Sequence, residues 1–295
     1  MSANHAAFNL IFRFVENYIS PVAGRISSQR HVMAIRDGFI SAMPFMIVGS
    51  FLLVFAYPPF SPDTTWGFAR AWLDLAKEFE GRILTPFDMT MGIMSIYICA
   101  AIAYNLGKHY EKSNQLDPFM CAMLSIMAFL LVAAPKTNGN LPVDSLGGTG
   151  IFTAILVAVY CVEMMRFLKA HNIGIRLPDQ VPPMIKNSFD LLIPVLVVVL
   201  TLYPLSLLIQ HHFDMLIPQA IMAIFKPLVS AADSLPAILL AVLVGHLLWF
   251  AGIHGAAIVS GMLQMFWLTN LGMNQQALAQ GAPLPHIFME EIGRA

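Results

Sequence analysis

Apolar residues recur along this chain in runs of membrane length, divided by short polar or proline-bearing segments. The first run covers 38–57, and twenty residues at about 1.5 Å each span the roughly 30 Å of a bilayer's hydrocarbon. Pro44 lies inside it and should kink it. Further runs predict spans over 89–107, 118–134, 150–168 and 191–209, the last containing Pro194 and Pro204. Residues 6–20 place Phe8, Ile11, Phe12, Val15 and Ile19 on one helical face, with Arg13, Glu16 and Asn17 elsewhere. That pattern predicts an amphipathic helix lying in the interface, or else a helix packed on the protein. Residues 66–80 are amphipathic and richly charged, and read as an extramembrane or interfacial helix. The run 215–229 contains Pro218 and Pro227 and reads as an interfacial linking helix. Two more apolar runs follow, 235–250 and 256–271, on either side of the tetrapeptide Gly252–Ile253–His254–Gly255.

This flanked histidine organises the rest. A histidine between glycines at the end of a membrane-length run predicts backbone that leaves regular structure at membrane depth. Such backbone is tolerated only where protein or a wet cavity surrounds it, and ionisable groups there tend to lie in sites or pathways. Two apolar runs flanking the break fit a re-entrant hairpin with His254 at its turn. Two full spans with a short extramembrane turn, and His254 at the interface, are the other reading.

Composition makes the membrane assignment firm. Hydrophobic residues make up 58% of the 295, mean hydropathy is +0.70, and charged residues are 11%, against about 25% in soluble proteins. A net charge of −1 leaves no basic footprint for nucleic acid. Cys99, Cys121 and Cys161 lie in apolar runs without metal or disulfide spacing and read as packing residues. No metal site and no cofactor motif is present: Walker, GxGxxG, HExxH and GxSxG patterns are all missing. Glu163 and Arg166, three residues apart, should pair on one helical side. Asp190 favours the start of the fifth span through the helix dipole.

Of the sixteen lysines and arginines, ten fall in alternate segments: before the first span, at 108–112, and between 166 and 186. By the positive-inside rule the N-terminus and those two loops are expected to be cytoplasmic.

Two stretches, Ile175–Pro194 (IRLPDQVPPMIKNSFDLLIP) and Leu247–Gly255 (LLWFAGIHG), resemble the cytoplasmic loop and the histidine hairpin of bacterial phosphotransferase-system sugar permeases. Residues 30–50, where a basic segment enters a proline-bearing span, resemble that family's first helix. The resemblance covers nearly the whole chain and is strongest to enzyme IIC of the lactose/cellobiose/diacetylchitobiose branch. It implies an inner-membrane homodimer that carries a β-linked disaccharide inward for phosphorylation by a separate phosphorylated enzyme IIB, itself supplied by IIA. IIC has no phosphorylated residue of its own. His254 matches the family's histidine, which makes it the candidate catalytic and substrate-binding residue, with Gly252 and Gly255 beside the ligand. An imidazole can orient the accepting hydroxyl while a carboxylate takes its proton. The family's glutamate lies on a second hairpin further downstream. Glu290 and Glu291 do not sit in that motif, so the chain is expected to be shortened at its C-terminus.

The sequence therefore predicts an all-α, polytopic membrane protein with interfacial amphipathic helices and a re-entrant hairpin. Residues 1–210 would form an N-terminal dimerisation domain of about five spans; residues 211–295 would form the linking helix and the start of a sugar-binding domain. The partners implied are a disaccharide, IIB, membrane lipid and a second copy of the chain. The rival readings are a membrane-embedded enzyme using His254 as acid or base, and a non-transporting structural or regulatory membrane subunit.

Overall fold

The computed structural model describes residues 20–135, 141–175, 189–250 and 255–287, with positions 13, 17, 178, 180 and 182 between them. The described residues are α-helical apart from turns and one short 3-10 turn. In chain order the helices are α1 (Ser20–Ser27), α2 (Arg30–Ala56), α3 (Gly67–Asp88), α4 (Met94–Asn114) and α5 (Pro118–Ala133). The 3-10 turn Gly148–Gly150 leads into α6 (Ile151–Ala170). Then follow α7 (Leu192–Phe213), α8 (Ile217–Ala232), α9 (Leu235–Phe250) and α10 (Gly255–Ala279). The amphipathic helix expected over 6–20 and most of the LPDQVPP loop lie outside the described residues.

Helix α4 is the centre of the bundle. Met94, Ile98, Cys99, Ile102, Ala103 and Leu106 are all fully buried on it, enclosed by α2, α5 and α6. Small residues allow this close approach. A methyl group on Gly38 would meet the Ile102 side chain and, at 2.8 Å, its backbone nitrogen, and one on Gly107 would lie 3.1 Å from Pro118 Cα. Helices in lipid gain little from excluding water from each other, so such contacts carry much of their association. The three cysteines are buried and free, as packing residues should be.

The span predicted over 89–107 needs correction at its start. Residues 90–93 form a turn, and the helix begins at Met94 and continues to Asn114. Ser95 fixes that start: its N–H donates to Leu146 O at 2.9 Å and its hydroxyl to Gly147 O at 2.6 Å. Helix α3 also runs further than predicted, through Pro86 to Asp88. Helices α2, α7 and the segment Gly148–Ala170 are each long and apolar enough to cross a membrane; α8 and α9 together form a further, bent candidate. Helix α5 is apolar but has 16 residues, about 24 Å at the usual rise and short of a full crossing. Helix α4 carries Lys108, Glu111 and Lys112 in its second half.

The predicted Glu163–Arg166 pair forms at 2.6 Å. It belongs to a larger junction: Glu163 also accepts from Tyr110 at 2.7 Å and from His31 Nε2 at 2.9 Å, joining α2, α4 and α6. Gln29 caps α2 with its side-chain oxygen on Val32 N and directs its amide nitrogen to His31 Nδ1, 2.6 Å away. The amide cannot accept there, so His31 carries its proton on Nε2 and donates to Glu163. Asp190, predicted to act through the helix dipole, is bound by Lys169 at 2.7 Å.

Candidate functional site

The predicted break at GIHG falls on residues 251–254, which lie outside the described residues. Helix α9 ends at Phe250 and α10 starts at Gly255. A methyl group on Gly245 would touch Val259 Cγ2 at 3.8 Å, and those two positions are equidistant from residue 252. The two helices thus fold back on one another. Of the predicted site residues, Gly255 opens α10, while Gly252 and His254 lie outside the described residues. At 16 residues, α9 is too short to cross the hydrocarbon alone. His246 is exposed and its Nδ1 meets Val242 O of its own helix at 2.8 Å.

The base of the hairpin is a sharp corner. Helices α8 and α9 meet at 71° across a break of a few residues. Asp233 closes α8 there, its N–H donating to Val229 O. The Ser234 hydroxyl donates to Ala231 O at 2.6 Å and accepts from Ala237 N at 3.4 Å, turning the chain into α9. The segment following α10 returns to this corner. Ile287 N donates to Asp233 Oδ1 at 3.0 Å, and His286 Nδ1 lies 3.1 Å from Asp233 Oδ2. Asn274 grips the same segment at two points, donating to His286 O at 2.8 Å and accepting from His286 N at 2.9 Å. Pairing alone hides these residues from sequence reasoning: Asp233, Asn274 and His286 follow no helical period together.

Helix α10 docks the hairpin on the bundle. Gln275 donates to the Ser50 hydroxyl of α2 at 2.8 Å. The Tyr57 hydroxyl, just past the end of α2, lies 2.8 Å from Glu80 Oε1 and 3.1 Å from Ala279 O, donating to both. Burial, then its hydrogen bond to Glu80 and that carboxylate's charge, pushes Tyr57 up to about 12. Gly272 crosses Gly148 of the 3-10 turn, backbone against backbone. Phe266 meets Phe152, which stacks on Phe225 of α8 at 4.4 Å. Along α10, Gln264, Thr269, Asn270, Asn274 and Gln275 are buried polar side chains in an otherwise apolar setting. They are engaged within the protein: Thr269 donates to Met265 O at 2.6 Å, Asn274 binds His286 and Gln275 binds Ser50. Among the described residues no three histidines, cysteines or acids gather to hold a metal.

Comparisons with known proteins meet the same features. The family model described as phosphotransferase system, EIIC, matches residues 36–295. The cellobiose-specific EIIC component of Geobacillus stearothermophilus is 33% identical over 95% of this chain and 64% of its own length. The oligo-beta-mannoside-specific EIIC component of Bacillus subtilis is 30% identical over 95% and 64%. The lactose-specific EIICB component of Streptococcus mutans is 33% identical over 88% of this chain and 45% of that protein. The crystal structure of the transporter ChbC, the IIC component of an N,N'-diacetylchitobiose-specific phosphotransferase system, superposes with a TM-score of 0.81. It is 32% identical, over 95% of this chain and 66% of that one. The chain thus spans somewhat under two thirds of the length of the EIIC relatives it matches. The resemblance seen in GIHG and LPDQVPP, the hairpin those residues predict and the matching helical architecture converge: the chain belongs to the EIIC family of the phosphotransferase system.

Proposed function

We propose that this chain serves as the membrane permease of a phosphoenolpyruvate-dependent sugar phosphotransferase system, moving a β-linked disaccharide to the cytoplasmic side for phosphorylation by a IIB component. The family match over 36–295 carries this reading. The printed names of its relatives support the substrate class, since they specify cellobiose, oligo-β-mannoside, lactose and diacetylchitobiose. His254 would hydrogen-bond the accepting hydroxyl, and Gly252 and Gly255 would let the backbone approach the sugar closely. The IIB partner would be a separate protein, receiving phosphate from IIA.

The decisive experiment is phosphoenolpyruvate-driven accumulation of radiolabelled cellobiose or diacetylchitobiose phosphate in vesicles containing the protein, supplied with phosphorylated IIA and IIB. His254→Ala should insert normally and abolish sugar phosphate formation. Normal product formation by that variant would remove His254 from the site. Failure, with every sugar tested, of a chain completed to the length of its EIIC relatives would sink the transport reading.

Two finer points belong to the same proposal. The N-terminus and the 170–188 loop lie on the cytoplasmic side, as the basic residues require; cysteines introduced at Gln180 and Gly139 should then label from opposite sides of the membrane. The division near residue 210 separates a dimerisation domain from the sugar-binding part. An aromatic groove of about 780 Å³ between α2 and α3, lined by Phe55, Phe68, Trp72, Leu75 and Phe79, supports contact with a second copy there.

A further inference from the structure

Helix α9 has little of its own to hold it. It packs on α10 and meets α8 at the corner, and its opposite face, Leu235, Leu239, Leu240 and Leu243, is more than half exposed at each position. Besides α10, what holds it is the corner. There one carboxylate joins the two ends of the hairpin: Asp233, where the chain enters, binds both the His286 ring and Ile287 N, where it leaves. Asn274 locks the same exit segment against α10 by its reciprocal pair of bonds to His286. The Asp233 and His286 side chains are each only 13% exposed, so water competes weakly for these bonds.

We propose that Asp233, Asn274 and His286 form a clasp that helps to set the tilt of α9 against α8 and α10, and so act as positioning residues for the far end of α9. The consequence for chemistry rests on the permease reading above; the mechanical part does not. Leverage makes the clasp matter. Sixteen residues of α9 extend about 24 Å from the corner, so a tilt of roughly 2–3° carries its far end, at Phe250, by about 1 Å, a displacement that can cost on the order of 100-fold in rate. A carboxylate is suited to this place because it is acceptor only and has several lone-pair sites. It can take Ile287 N and the Nδ1–H of His286 together.

The test is a distance measurement on the full chain in lipid nanodiscs. Spin labels go on cysteines introduced by Leu240→Cys on the exposed face of α9 and Leu156→Cys on the exposed face of α6. The native Cys99, Cys121 and Cys161 are buried and stay unlabelled. The unsubstituted clasp should give one narrow distance by double electron–electron resonance. Asp233→Ala should broaden or shift it by several ångströms, Asn274→Ala should broaden it less, and Asp233→Asn should fall between the unsubstituted clasp and Asp233→Ala, since its one amide oxygen keeps only one of the two donors. Distributions unchanged in both alanine variants would overturn the clasp. A distribution broadened more by Asp233→Asn than by Asp233→Ala would also overturn it in this hydrogen-bonded form. In the vesicle assay, Asp233→Ala should reduce kcat for sugar phosphorylation tenfold or more, with Asp233→Asn between it and the unsubstituted chain. A broadened hairpin with undiminished kcat would overturn the positioning role. Absence of phosphorylation by a chain completed to the length of its EIIC relatives would count against the permease reading alone, because the distances are read without sugar.

Discussion

Ser50 and Gln275 lie 225 residues apart and share a hydrogen bond of 2.8 Å. The bond links the middle of the first span to the helix that carries the hairpin. Ser50 passes its own proton to Met46 O one turn earlier, so its hydroxyl is already oriented to accept. The second amide atom, Gln275 Oε1, is buried without a hydrogen-bond partner, so the Ser50 contact is the one on which the amide's satisfaction depends. Ser50→Ala should lower the thermal midpoint, since it strands a buried donor at a cost of about 1–3 kcal/mol. Gln275→Leu removes the whole amide and should cost less. A midpoint lower for Gln275→Leu than for Ser50→Ala would show that the bond is not the main tie between α2 and α10.

Glu163 receives three donors from three helices, and its loss should be felt in proportion. Glu163→Gln keeps the shape but leaves Arg166 without its anion, and one of its two polar atoms can no longer accept. The cluster is partly exposed, with Arg166 at 44%, which discounts the ion-pair component. The expected destabilisation is about 1–2 kcal/mol, against roughly 1 kcal/mol for Tyr110→Phe, which deletes a single bond. Differential scanning fluorimetry in detergent would rank the two variants. The reverse order would assign the junction's strength to Tyr110 and to the Arg30 and Arg166 guanidinium groups that lie over its ring at 5.5 and 4.9 Å.

Tyr57 gives a pH signature. Its pKa is raised from 10.0 to about 12, first by burial and then by the Glu80 hydrogen bond and charge. The neutral phenol is therefore the form the fold prefers. The linked stability is fully present below the ordinary tyrosine pKa and is lost as pH rises towards 12. Absorbance at 295 nm, recorded as wild type minus Tyr57→Phe, should reveal one tyrosine ionising near 12. Glu80→Gln should bring that midpoint down only part of the way, because burial is the larger cause. A difference titration centred at 10 would mean that Tyr57 does not bridge α3 and α10.

Much of this arrangement is legible without coordinates, and what is not has an identifiable reason. Apolar runs predicted α2, α6 and α7, because lipid imposes length and composition on each span independently of the others. The two apolar runs on either side of GIHG match α9 and α10, which pack on each other. The start of α4 was misjudged: Met89–Ile93 is mostly apolar, and hydropathy cannot distinguish a buried turn from a helix. The end of α3 was missed because the amphipathic, charged pattern was followed only to residue 80, whereas the helix continues through Pro86 to Asp88. Glu163–Arg166 was visible as a pair three residues apart, but His31 and Tyr110 come from other helices and share no period with it. The same holds for Asp233 with His286 and for Ser50 with Gln275. Contacts between distant elements depend on how the elements pack, and one sequence records that packing only indirectly.

The crossing of Gly148 and Gly272 separates two kinds of glycine. A methyl group on Gly148 would lie 3.0 Å from the Gly272 carbonyl carbon and 3.0 Å from Met273 N, both backbone atoms that cannot swing aside. A methyl group on Gly272 would strike Met94 Cε, the end of a flexible side chain, although Gly148 Cα would also lie 3.0 Å away. Gly272 is inside α10, where alanine gains about 1 kcal/mol of helix propensity over glycine; Gly148 is in a 3-10 turn and gains no such compensation. Gly148→Ala should therefore destabilise the protein by about 1–3 kcal/mol, the usual cost of overpacking, and Gly272→Ala by clearly less. Because α10 bears the hairpin, Gly148→Ala should also lengthen the Leu240-to-Leu156 spin-label distance, whereas Gly272→Ala should leave it within error. Thermal midpoints and that distance, measured on the same two variants, decide the matter. Equal destabilisation would mean that Met94 is as rigid as the backbone beside it. A stable Gly148→Ala with an unchanged distance would mean that α10 does not rest on the 3-10 turn at all.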